Sequence, residues 1–97
     1  MKNLGKEPKI EKQIKQELKQ IEKLLIRKNR SYGDSINNPI LVFGIQQNKD
    51  NLNVQQFAIC CRLDDKLARL KNGGITKDTM DTIDDIIGYL IRLKIAL

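Results

Sequence analysis

The 97-residue chain contains no histidine and no tryptophan, and its only aromatic residues are two tyrosines and two phenylalanines. Without histidine it lacks the commonest general base at neutral pH and the commonest zinc ligand. With so few aromatic side chains, its core must consist mainly of Ile and Leu. No apolar run is long enough for a membrane span, and the N-terminus has no signal-peptide pattern. We therefore expect a cytoplasmic protein without a membrane partner.

Cysteine is also scarce, because the chain has only Cys60 and Cys61. Adjacent cysteines rarely bridge without strain, and two thiols alone make a poor zinc site. We expect both to be small buried or half-buried side chains in a reducing compartment.

The net charge of +6 is distributed unevenly. Residues 1–30 hold ten Lys or Arg and four Glu, whereas residues 31–97 hold eight basic and eight acidic residues. An apolar content of 40% is enough for one globular domain, which we place at residues 1–97 with a frayed start at 1–7. Because so short a chain buries a modest core, we expect a homo-oligomer.

Hydrophobic spacing predicts three long helices. The first covers about residues 8–29, with an apolar residue every three or four positions. The second covers about residues 53–71 and ends at glycines, and the third begins after Thr76 or Asp78 and continues to the C-terminus. Asn38-Pro39 predicts a short helical segment through Phe43, with a short strand as the alternative, and residues 46–53 are expected to be a surface loop. The predicted class is therefore all-α, a small helical bundle completed by oligomerisation.

The first candidate site is the loop that follows the first helix. It offers a phenol, a hydroxyl, a carboxylate and backbone donors near glycine, a combination that can hold an anion. The alternative is a structural turn in which Asp34 caps nearby N–H groups. The candidate ligand-binding residues of this segment are Arg30, Tyr32, Gly33, Asp34, Ser35 and Asn38.

The second candidate site is a row of cations on the second long helix: Arg62, Lys66 and Arg69. Their spacing of four and three puts them on one side, where they repel one another unless anions lie between them. Those anions are either a phosphate-bearing ligand or the protein's own aspartates. Asp64, by contrast, falls inside the apolar arc of the same helix and needs a partner there.

The third candidate site is acidic. Carboxylates three or four residues apart on facing helices can hold Mg²⁺ or Mn²⁺. The same residues near a helix start also complement the helix dipole without any metal. The candidate ligands are Asp65, Asp81, Asp84 and Asp85, with Asp64 upstream. No nucleophile–base pair and no glycine-rich phosphate loop is present.

Four segments in order resemble a known group of proteins. They are RSYGDS at 30–35, NPI at 38–40 with Phe43, RLDDKLARL at 62–70 and DTIDDIIGYL at 81–90. The set resembles a family of small phage and prophage proteins related to the nucleotide-modification-associated domain and, more distantly, to MazG-like all-alpha nucleotide pyrophosphohydrolases. The resemblance covers about residues 8–97.

The resemblance implies a helical oligomer that holds nucleotide-type ligands between helices. MazG-like enzymes bind Mg²⁺ with a Glu-x-x-Glu pair and a later Glu-x-x-Asp pair. Asp81 and Asp84 resemble the second pair, but the first pair is missing. We therefore expect a non-catalytic nucleotide-binding protein that needs no cofactor and sequesters a host immune signal such as a cyclic nucleotide or an ADP-ribose derivative. The alternatives are an Mg²⁺-dependent pyrophosphohydrolase and a protein- or nucleic-acid-binding module that uses the basic first helix.

Overall fold

The computed structural model describes residues 8–97, and within that range the chain forms helices and no strand. The predicted frayed start at residues 1–7 lies outside the described residues. The all-α class, with three long helices and a short one, is confirmed. The elements are α1 (Lys9–Ser31), α2 (Gln46–Asn51), α3 (Val54–Gly73), a single 3₁₀ turn (Lys77–Thr79) and α4 (Met80–Ala96).

The two ends of α3 show why the predicted bounds were close. Asn53 accepts a hydrogen bond from the Gln56 backbone at 2.8 Å, and the Gln56 side chain accepts one from the Asn53 backbone at 3.0 Å. This capping box satisfies two N–H groups that otherwise lack partners. At the other end, Gly74 adopts a φ of 76° and donates its N–H to the Leu70 carbonyl at 2.9 Å. Glycine takes that conformation without steric cost.

The prediction for residues 39–53 was wrong in its placement of the short helix. Residues 39–45 are irregular, and the short helix α2 lies where a surface loop was expected. The physical reason is Asp64, whose carboxylate accepts the backbone N–H groups of Val42 (3.1 Å), Phe43 (2.8 Å) and Gly44 (2.7 Å). In a helix that starts at Pro39, the N–H groups of Phe43 and Gly44 would instead donate to backbone carbonyls four residues earlier.

The packed core is small and lies between α3 and α4, the long helices with the most extensive contact. Its fully buried side chains are Cys60, Leu63 and Ala68 from α3, together with Thr79 and Thr82. Helix α1 meets the other helices mainly at its C-terminal end. There two backbones touch, because a Cβ on Gly33 would lie 2.0 Å from the Asn72 carbonyl oxygen.

Helix α1 extends away from this core. None of its residues is buried, and the molecule measures 62 × 31 × 22 Å. Its radius of gyration is 19.4 Å, whereas a compact domain of this length has about 13 Å. Within residues 8–97, no helix is long and apolar enough to cross a membrane.

Candidate functional site

The loop after α1 is held in shape by its own polar side chains. Asp34 adopts a φ of 56° and donates its N–H to the Asn29 carbonyl at 3.0 Å. Its carboxylate accepts two contacts from the Asn37 amide, at 2.9 and 3.1 Å, and its carbonyl accepts the Asn38 amide at 2.9 Å. Asp34 and Asn38 therefore hold the loop in shape, although the Asp34 carboxylate accepts from the Asn37 side chain rather than from backbone N–H groups.

The loop is also fixed to the end of α3. The Asn72 side chain donates to the Asn38 carbonyl at 2.8 Å and to the Ala68 carbonyl at 2.9 Å. A Cβ on Gly73 would lie 2.2 Å from the Ser31 carbonyl oxygen, so this approach also depends on glycine. Gly33 thus serves a close backbone contact, and the loop keeps a fixed position relative to α3.

A cavity of about 630 Å³ lies where the end of α1, the loop and α3 meet. The Arg69 guanidinium stacks over the Tyr32 ring, 4.8 Å from the ring centre. Arg69 also contacts the exposed Asp65 carboxylate at 3.4 Å. The whole lining consists of Leu25, Ile26, Lys28, Asn29, Arg30, Tyr32, Ser35, Ile36, Asp65 and Arg69.

The lining combines an apolar wall with an excess of positive charge. Leu25, Ile26 and Ile36 supply aliphatic surface, and Ile36 is 85% exposed. The charged residues of the lining are three cations, Lys28, Arg30 and Arg69, and one carboxylate, Asp65. A site of this kind suits an anion that also carries a flat apolar group, because ligand pockets pair apolar walls with a few placed polar groups.

Of the three cations that share one side of α3, only Arg69 lines the cavity. Lys66 forms an ion pair with Asp85 at 3.1 Å. Arg62 lies beside Tyr89, with its guanidinium 3.5 Å from the hydroxyl and 6.0 Å from the ring centre. Seven residues separate Arg62 from Arg69, which is about 10 Å along a helix. Within this chain Arg62 and Lys66 therefore face α4, and the anion beside Lys66 is the protein's own Asp85, one of the two alternatives that the sequence left open.

The aspartates of the third candidate site do not converge, because most of them make their own contacts elsewhere in the structure. Asp64 is buried and uses both carboxylate oxygens on backbone N–H groups, while Asp65 and Asp85 contact Arg69 and Lys66. Asp84 is exposed. Asp81 lines a second, polar cavity of about 410 Å³ with Arg27, Lys28, Ser31, Tyr32, Lys77 and Asp78. Across residues 8–97, the structure groups no three His, Cys, Asp or Glu side chains closely enough to hold a metal ion.

The adjacent cysteines differ in exposure. Cys60 is buried, as expected, but Cys61 is exposed, which corrects the prediction that both are at least half-buried. Successive residues of a helix point in different directions, so only one of the two can face α4. Burial raises the pKa of the Cys60 thiol, and the neighbouring Cys61 and Asp64 raise it further.

Sequence reasoning missed the part of the cavity that α1 supplies. Leu25, Ile26, Lys28 and Asn29 line it, although the periodicity assigned them only to a helix face. One feature of the sequence could have indicated this contribution: the apolar stripe of α1 continues to within a few residues of the Tyr32 loop. A helix that ends at such a loop brings its last turn into the same cavity.

Comparison with known proteins adds no assignment, because no family model, curated protein or solved structure matches the chain. The resemblance to phage nucleotide-associated and MazG-like proteins remains a prediction. Any function must therefore be inferred from the chemistry of the cavity itself.

Proposed function

We propose that the chain is a non-catalytic binding protein for a nucleotide-type ligand, held in the cavity between the end of α1, the Tyr32 loop and α3. The observation that carries the proposal is the stacking of Arg69 on Tyr32 inside a cavity rich in cations. Its volume of about 630 Å³ falls within the range of small-molecule sites.

The lining is chemically complementary to each part of such a ligand. A base has a flat face that packs on Tyr32 or on the aliphatic wall of Ile26 and Ile36. A phosphate accepts charge-assisted hydrogen bonds from Arg30 and from Arg69, whose planar guanidinium matches the phosphate oxygens. Arg69 keeps donors for this purpose, because its ion pairing within the described part of the chain is one 3.4 Å contact with the exposed Asp65.

The same geometry favours binding over hydrolysis. An Mg²⁺-dependent reaction needs several carboxylates that converge on the metal and the ligand phosphates. Among residues 8–97, Asp65 is the only carboxylate that lines the cavity, and the carboxylate next to it in sequence, Asp64, is engaged by three backbone N–H groups. The proposal therefore includes release of the ligand in unchanged form.

The test is a thermal-shift and calorimetry series with AMP, ADP-ribose, cyclic nucleotides, ribose and inorganic phosphate, each with and without Mg²⁺. ADP-ribose and cyclic nucleotides are included because the resemblance points to sequestration of a host immune signal. At least one nucleotide should raise the melting temperature more than ribose or phosphate alone. Recovery of a hydrolysed product would support the pyrophosphohydrolase alternative instead.

The two arginine–tyrosine pairs of α3 provide a matched control. Arg69→Gln should weaken binding at least tenfold, which corresponds to about 1.4 kcal/mol, because it removes a cation from the cavity. Arg62→Gln changes the equivalent pair with Tyr89 outside the cavity and should leave affinity unchanged. Equal effects of the two substitutions, or no response to any nucleotide, would contradict the proposal.

A second candidate function rests on the exposed basic side of α1. Its cations recur at spacings of three and four along one side of the helix: Lys9, Lys12, Lys15, Lys19, Lys23, Arg27 and Arg30. Such a row suits a polyanion, and binding to DNA or RNA would then fall steeply with salt. In that case Lys19→Glu would reduce binding and Arg69→Gln would not.

A further inference from the structure

The apolar side of α1 is uncovered along the whole helix. Six of its aliphatic side chains are between 40% and 61% exposed: Ile10, Ile14, Leu18, Ile21, Leu24 and Leu25. Together they leave an apolar patch on the order of 500 Å², near the upper end of what monomeric proteins expose. Helices in proteins gain most of their stability from packing such a face. Within residues 8–97 no element of the same chain covers it.

We infer that this face pairs with the same face of a second copy, so that two α1 helices pack antiparallel over their full length. The central contacts are Leu18 on Ile21 and Ile14 on Leu25, each occurring twice by the two-fold symmetry of such an interface. Spacings of four, three and four from Ile14 to Leu25 match the seam of an antiparallel helix pair. The 23 residues of α1 give an overlap of about 34 Å.

Charge complementarity selects this arrangement. Glu11 lies three residues before Ile14, and Lys28 lies three residues after Leu25, so both belong to the apolar stripe. In the antiparallel register Glu11 faces Lys28 of the second copy at each end of the seam. A parallel register would instead place Lys28 against Lys28 and Glu11 against Glu11. The basic row of α1 lies on the opposite side of each helix, which keeps the like charges of the two copies apart.

The buried area fits a dimer of moderate affinity. Two patches of this size bury on the order of 1,000 Å² in total, close to the lower limit for specific interfaces. The exposed apolar surface of α4 is shorter, because Asp84 separates Met80 from the group of Ile87, Leu90, Ile91 and Ile95 near the end of the helix. We therefore assign the α1 face to a second copy of α1 rather than to α4.

This pairing also completes the cavity. Leu25 and Lys28 line the cavity and belong to the α1 seam. In the antiparallel pair, Ile14 of the second copy covers Leu25, and its Glu11 reaches Lys28. Each cavity then has a wall from the other chain. The contribution to ligand binding rests on the proposed function, whereas the helix pairing does not depend on it.

The first test measures mass in solution by light scattering across the micromolar range. The protein should have at least twice the 11.2 kDa mass of one chain. Leu18→Lys should raise the dissociation constant at least a hundredfold, while Gln16→Lys, which adds the same charge on the exposed basic side, should leave it unchanged. Ile91→Lys on α4 should also leave it unchanged. A monomeric wild type, or dissociation caused by Ile91→Lys, would overturn the pairing.

The second test fixes the orientation by thiol cross-linking in a Cys61→Ser background, in which the remaining Cys60 is buried. Two variants, Ile14→Cys and Leu25→Cys, are purified separately and then mixed. One of them carries a tag, so that the mixed dimer can be recognised by its mass. A reagent spanning about 8 to 10 Å, the separation of packed helices, should link the mixed pair and neither variant alone. Cross-linking of each variant to itself would show a parallel pair and refute the antiparallel arrangement. Because neither test uses a ligand, a failed nucleotide titration leaves their outcome intact.

Discussion

The Asp64 contacts with residues 42–44 allow the sharpest stability prediction. Asp64 is 4% exposed, and its two oxygens accept three backbone N–H groups at 2.7 to 3.1 Å. Hydrogen bonds to a charged partner contribute about 1.5 to 3 kcal/mol each. Val42 is half exposed, so water replaces part of what is lost when the carboxylate is removed. We therefore expect Asp64→Ala to lower the free energy of unfolding by about 3 kcal/mol, and α2 to lose its fixed position.

Asp64→Asn tests the charge and the acceptor separately. The amide keeps one oxygen, but its NH₂ group faces a backbone donor, so we expect a loss of about 2 kcal/mol. The matched control is Asp65→Asn, which changes an exposed carboxylate paired only with Arg69 and should cost about 1 kcal/mol or less. The assay is urea unfolding followed by helical circular dichroism, with every variant at the same protein concentration because association shifts apparent stability. If Asp64→Asn and Asp65→Asn unfold alike, the proposed anchoring is incorrect.

Three further predictions follow from the backbone contacts and the thiols. Gly33→Ala should lower the free energy of unfolding by about 3 kcal/mol or more. The new Cβ would lie 2.0 Å from the Asn72 carbonyl oxygen, and residue 33 has a φ of +57°. An unchanged urea midpoint would contradict this contact. Gly88→Ala meets nothing within 4 Å on α4 and should stabilise by about 0.5 to 1 kcal/mol in the same assay. A thiol reagent should titrate Cys61 in the native protein and Cys60 only after unfolding, and rapid labelling of both would refute the burial of Cys60.

Local patterns in the sequence were sufficient for the long helices. The apolar spacing of α1 and the glycines after α3 act through neighbouring residues, so their effects can be read along the chain. Residues 39–53 were misplaced because the deciding interaction joins positions about 20 residues apart. The unusual position of Asp64 in an apolar arc indicated that it needs a partner, and nothing local identified that partner as the backbone of Val42 to Gly44.

The candidate site was predictable only in part, because some of its residues are marked by local patterns and others by tertiary contacts. Tyr32, Ser35 and Arg69 were named from the loop and the cation row, and the structure places them around one cavity. Arg62 lies on the same side of α3 as Arg69, two turns away. Helical phase gives the side of a helix on which a residue lies, but not which other element packs against each turn of that side. The contact between Gly33 and Asn72 fixes which turn of α3 meets the loop, and that tertiary contact has no signature in the sequence.

The most direct test of the ligand site is an amide-resolved NMR titration of the protein with the nucleotide that binds tightest in the thermal-shift series. We expect the largest chemical-shift changes at Tyr32, Ser35, Ile36 and Arg69, while the amides of Arg62 and Lys66 stay unchanged. Changes confined to Asp81 and Asp84, or to the basic row of α1, would place the ligand elsewhere and contradict the cavity as its site.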